Sequence, residues 1–324
     1  MSNPLEKILA NPTMQARLLR LKVMLVGLAI DFWKDTPFSQ MGRRTSSGTV
    51  AASSPSSGNT QKAEDKTNSD SRKPWFADRI QVVEKMWGEG NVFPGGENYL
   101  DDLIVPLGLN KEMSVLDLNA GLGGFARKIT SETGAYVTGL ETNQVLASRG
   151  MVMSIAAGKG KQASVEAYDP DAYKAERQYD CVFVREFFYR IIGKEKFFKA
   201  VANSVKAGGG QLVFMDYILE DRDKENPAIK KWLEAEKKVT PLPFIDMVKE
   251  WKKLGFDMRV AEDQTTLYRS EILKGLASFV EFLALNVPGP DTKPSIVREI
   301  DLWARRVAAL ENGLRYCRFY GIKH

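Results

Sequence analysis

The chain has 324 residues, 44% of them hydrophobic and 27% charged, a composition that excludes a mini-protein, a disordered chain and a multi-span membrane protein. Its 46 basic residues against 41 acidic ones give a net charge of +5, spread along the length with no basic stripe interleaved with aromatics, so no nucleic acid is expected as a partner. The one histidine, His324, rules out His-based zinc sites, Ser-His-Asp triads and Cys-His dyads, which need an imidazole held inside the fold.

Residues 18–33, LLRLKVMLVGLAIDFW, are apolar enough for a buried helix but too short and too interrupted by Arg20, Lys22 and Asp31 to cross a bilayer. The stretch lacks the layout of a secretory signal. It reads as a helix that packs on its own domain or on a second subunit; peripheral membrane contact is the other reading. Residues 39–73 are dominated by Ser, Thr, Gly, Asn and charges, the composition of a flexible linker. Three parts are therefore expected: a helical extension over 1–38, a linker over 39–73 and a globular domain over 74–324. Cys181 and Cys317 lie in separate apolar runs without metal-like spacing, which fits a reducing, cytoplasmic setting, with membrane association left open.

After the linker, strand and helix periods alternate. Strands are expected over 113–119, 135–141, 162–169, 179–184 and 209–217, with helices over 123–131, 143–157 and 194–206 between them. Two helical patterns follow over 226–239 and 243–254, then a sixth strand in FDMRVAEDQT, about fifty residues of helix-like sequence, and a last apolar run GLRYCRFYGI. Such alternation makes an α/β, Rossmann-like doubly wound sheet that binds ligands beyond the carboxyl ends of its strands.

The chemistry concentrates in VLDLNAGLGGFARKI, which places Asp117, Asn119, Gly121, Gly123 and Gly124 between the first strand and the first helix. Glycine there lets a ligand approach the backbone and permits positive φ. Glu141 ends the second strand, roughly 20 residues on, where a carboxylate can take both hydroxyls of a ribose. The turn runs G-x-G-G and not G-x-G-x-x-G, which suits a nucleoside without a pyrophosphate better than NAD. An NAD-dependent oxidoreductase is disfavoured on that ground.

With these motifs in order, the sequence resembles the class I S-adenosylmethionine-dependent methyltransferases over roughly residues 87–265. Within them it is most similar to the small-molecule enzymes of the phosphoethanolamine, sarcosine and sterol type, through WGEGNVFPGGENYL, R-E-x-x-x-R and M-D-Y. Asn119 and Ala120 stand where Gly and a small polar residue are more common, and Ala207 where Pro is usual.

The resemblance implies S-adenosylmethionine as cofactor, and a seven-stranded sheet with its last strand antiparallel. It implies a helical lid over about 265–312, with Phe279, Phe282 and Leu283 lining the acceptor pocket or packing under it; a dimerisation surface, hence a homodimer, is the alternative for that apolar face. Cofactor contacts fall on Tyr99, Asp117, Asn119, Gly121, Gly123, Glu141, Asn143, Asp169 and Arg185. Tyr189, Glu186 and Asp216 are the catalytic candidates, and Trp87, Glu89 and Tyr217 the substrate candidates. Each could be ordinary packing or a helix cap. The expected function is methyl transfer to a small or lipid-like acceptor by in-line displacement; a non-catalytic adenosylmethionine-binding regulatory or scaffolding protein is the alternative.

Overall fold

The computed structural model describes residues 75, 77–286 and 288–324, and the expected extension (1–38) and linker (39–73) lie outside them. Seven strands form one sheet in the order β3-β2-β1-β4-β5-β7-β6. They are β1 (Ser114–Leu118), β2 (Tyr136–Glu141), β3 (Ala163–Ala167), β4 (Cys181–Arg185), β5 (Gly210–Ile218), β6 (Phe256–Asp263) and β7 (Arg315–Lys323). The first five pair in parallel, and β7 runs antiparallel to both β5 and β6. The expected class, strand number and reversed last strand are all borne out.

Every residue of β4 and β5 is buried, as a strand covered by helices on both faces requires. Phe214 of β5 packs with Phe188, Phe198, Trp251 and Phe319 in the main core. Helices α3 (Gly124–Thr133), α4 (Gln144–Ala156), α5 (Lys194–Ser204), α6 (Pro227–Glu236) and α7 (Phe244–Lys253) fall in the stretches where helical periods are expected. Helices α1 (Ala77–Trp87) and α2 (Glu97–Ile104) precede the sheet, in a stretch the alternating pattern leaves unassigned.

The insert before β7 consists of α8 (Thr265–Leu285) and α9 (Lys293–Leu310). Phe279 is buried and stacks with Phe282, and the Lys85 ammonium of α1 lies 5.3 Å from the Phe282 ring, so the insert packs against α1 at these aromatics. No helix among the described residues is long and apolar enough to cross a membrane.

The strand order reverses at β1, which has β2 on one side and β4 on the other. That switch point opens a crevice at the strand ends, because the connections leave on opposite faces. It carries the glycine turn.

Candidate active site

The turn after β1 takes the backbone shape its glycines predict: Gly121 and Gly123 have φ of +57° and +74°. Asn119 is also left-handed, at φ 144°, a strained setting for a side chain. Its amide offsets that strain by donating to the Arg185 carbonyl at 2.9 Å, tying the turn to the end of β4. The side chain therefore points across the crevice to the next strand.

The space at the glycines belongs to the chain itself. A Cβ on Gly121 would lie 2.5 Å from Val92 Cγ2, and one on Gly124 would lie 2.5 Å from the Gly90 carbonyl oxygen. A Cβ on Gly123 would meet Val165 at 2.7 Å. The glycines thus make room for β3 and for the segment 88–96, and not only for a ligand.

Glu141 behaves as its place at the end of β2 suggests. It is buried, with Oε2 accepting from the Gly121 N–H at 2.8 Å and Oε1 from the Asn143 N–H at 2.8 Å. Asn143 caps α4 by accepting from the N–H groups of Val145 and Leu146. Asp169 is exposed and accepts from the Asp171 N–H at 2.9 Å.

Asp117 is fully buried and pairs with Arg185, whose Nη2 lies 3.3 Å from Oδ2. Burial pushes its carboxyl above the usual carboxylate range and the Arg185 guanidinium opposes that rise. Arg185 also lies 3.8 Å over the Phe125 ring.

Beyond β4, Glu186 sits in an ion network that the sequence did not reveal. Tyr268 of α8 donates to Oε1, and Arg306 of α9 reaches Oε2 at 3.5 Å. Arg306 also donates to Glu236 at 2.8 Å and to the Tyr189 hydroxyl at 3.1 Å, while Arg190 holds the other Glu236 oxygen at 2.7 Å. Burial raises the Glu186 carboxyl, and Arg306 and the Tyr268 hydroxyl pull it back. Tyr189 and Tyr217 stack edge to face at 5.0 Å, and the buried Tyr217 hydroxyl has no partner among the described residues.

A signal for these partners was present. Glu236 follows Ile229 and Trp232, and Arg306 follows Ile296, Ile300 and Trp303, at helical spacing on buried stripes. A charge on such a stripe needs a buried counter-charge.

Three further candidates have other surroundings. Asp216 is engaged by backbone groups: Oδ2 accepts from the Phe187 and Tyr189 N–H groups at 3.1 Å each and Oδ1 from the Tyr217 N–H at 2.7 Å, so it holds the turn after β4. Trp87 is core, 4.7 Å from Trp303 and packed on Gly275. Glu89 is exposed at the start of the segment 88–96.

The polar groups around the turn suit an adenosyl ligand. Asp117 Oδ1, Arg185 Nε and the Tyr168 hydroxyl are buried without a partner among the described residues, so the crevice has donors and acceptors to spare beside Glu141. Tyr168 was not singled out from sequence; it follows β3 directly, and its N–H bonds the Glu141 carbonyl at 3.0 Å. The cavity beneath Val92, lined also by Ala120, Phe125 and Arg185, measures about 10 Å³, room for one water.

Comparison with known proteins points the same way. A family model described as a methyltransferase domain matches residues 95–259. Sterol 24-C-methyltransferase of Yarrowia lipolytica is 28% identical over 171 residues, covering 50% of this chain and 44% of that protein. Phosphoethanolamine N-methyltransferase 2 of Caenorhabditis elegans is 28% identical over 138 residues, 42% of this chain and 31% of the relative. The chain thus spans less than half the length of these two relatives. The Haemonchus contortus phosphoethanolamine N-methyltransferase 2, solved with phosphomonomethylethanolamine and S-adenosylhomocysteine, superposes with a TM-score of 0.66 at 19% identity, over 76% of this chain and 58% of that one.

Proposed function

The chain belongs to the methyltransferase domain family, and from that premise we propose that it transfers a methyl group from S-adenosylmethionine to a small or lipid-like acceptor. The observation that carries this reading is Glu141, a buried carboxylate at the end of β2 already turned onto the glycine corner and bonded to the Gly121 N–H. In this reading it takes the ribose hydroxyls, with Asn143 and Asp169 on the nucleoside side and Tyr99, Asp117, Asn119, Gly121, Gly123, Arg185 and Tyr168 around the rest. The cofactor supplies an activated methyl on a sulfonium. The protein's part in such a displacement is alignment and exclusion of water, which a site walled by buried aromatic rings supplies.

On the acceptor side, Glu186 and the hydroxyls of Tyr189 and Tyr217 are the polar groups; Arg306 and Tyr268 fix the Glu186 carboxylate. The rings of Tyr217, Tyr268 and Tyr316 lie within 6.3 Å of one another and give that side an apolar wall suited to an acceptor with an apolar part.

The test is calorimetry with S-adenosylhomocysteine. Glu141→Ala should weaken binding by about tenfold or more, the worth of a hydrogen bond to a charged group. Unchanged affinity in a folded variant removes the ribose assignment. A single-turnover assay with radiolabelled donor and a metabolite and lipid extract then asks for transfer, and absence of label in any acceptor removes the enzymatic reading.

A further inference from the structure

Residues 88–96 connect α1 to α2 by passing over the glycine turn. Gly88, Gly90 and Gly95 all have positive φ, at +93°, +75° and +133°, so the connection bends where only glycine bends freely. Its start is tied to α1, the Gly90 N–H donating to Glu84 Oε1 at 2.8 Å. Its middle lies on the turn: the Gly90 carbonyl accepts from the Gly124 N–H at 2.9 Å, and Val92 rests on Gly121. Gly124 begins α3, so its N–H is one of the donors a helix leaves unpaired, and the segment supplies the missing acceptor. Its end is tied to the insert, the Gly96 N–H donating to Glu271 Oε2 of α8 at 3.2 Å.

Beneath this segment lies a cavity of about 10 Å³, lined by residues 90–95 together with Arg185, whose Nε is buried without a partner among the described residues. The same helix α8 that holds Gly96 also places Tyr268 on Glu186.

We propose that residues 88–96 are a strap closed over the glycine turn and latched by Glu271, so that a ligand enters the crevice only when Val92 leaves Gly121. Opening breaks the Gly90–Gly124 and Gly96–Glu271 hydrogen bonds and exposes the donors of the α3 N-terminus to the ligand. The closed strap stands on contacts in the chain alone; that the entering ligand is an adenosyl compound rests on the reading above. Because α8 touches both the strap and Glu186, the two sides of the site open against one helix.

The test uses the full chain. Amide hydrogen exchange without ligand reads the latch. Glu271→Ala should speed exchange of the Gly124 N–H by about tenfold, the worth of a charge-assisted bond, with Glu271→Gln intermediate and the β5 amides unchanged. Faster exchange at Gly96 alone, with Gly124 as in the wild type, overturns the latch, since loss of a merely local bond would loosen only its own donor.

Stopped-flow binding of S-adenosylhomocysteine reads the gate. Val92→Ala and Glu271→Ala should each raise the association rate by roughly tenfold, and equal rates in all three proteins overturn gating. If S-adenosylhomocysteine binds none of them, the proposed function falls, and the exchange rates still decide the strap.

Discussion

Asp216 illustrates how a residue type picked for chemistry is used for construction. Its two oxygens take three backbone N–H groups at the end of β5, which fixes the turn carrying Glu186 and Tyr189. Burial pushes its carboxyl up to about 7, while burial lowers the neighbouring Lys194 to about 8. A carboxyl raised on folding binds more protons in the native state than in the unfolded chain between the two pKa values. Its stabilising contribution is therefore full below about pH 4 and is lost as pH rises to about 7. The urea midpoint should accordingly carry a falling component across that window, and Asp216→Asn should remove it while lowering stability at all pH values. A sequence shows Asp216 as an acid on a strand end, which is where catalytic acids sit. It does not show that three amide groups converge on it, because they come from two separate segments.

Helix α9 shows the same limit at the scale of an element. Its existence and its apolar stripe follow from periodicity, but its function in the fold is set by Arg306, which reaches Glu186 beyond β4 and Glu236 on α6. The three charged groups are nearly sealed from water, each under 5% exposed in its side chain. Removing one partner of such a network strands the others. Arg306→Ala should cost about 3–5 kcal/mol in urea unfolding, whereas joint replacement of Arg306, Glu186 and Glu236 by apolar residues of similar size should recover most of that loss. A single substitution without effect would show that the network is not closed in solution. The insert over 265–312, expected as a lid, is thus bound to the domain through buried charge.

For the whole molecule, the decisive fact is that among the described residues β6 pairs only with β7, and β7 lies between β5 and β6. The matched family region ends at residue 259, yet the sheet is not finished there. A chain that stops before Arg315 would leave β6 without its neighbour and β5 paired on one side alone, by β4, although β5 is buried along its whole length. We expect such a truncation to be insoluble or to lack a cooperative thermal transition, whereas a soluble, cooperatively melting product would contradict the register. An unpaired apolar strand edge invites association with other chains.

The amino-acid sequence alone determined the class of the fold, the strand and helix succession, the glycine turn and Glu141, since each depends on local period or on residues close together along the chain. The family resemblance, through R-E-x-x-x-R, also located Arg185, the last residue of β4, and Glu186 just beyond it. Which groups meet across the crevice was decided only by folding: Val92 over Gly121, Glu271 under Gly96, Arg306 between two glutamates. Pairing of residues a hundred positions apart depends on how layers stack, and a linear pattern of polarity carries no record of which buried charge faces which.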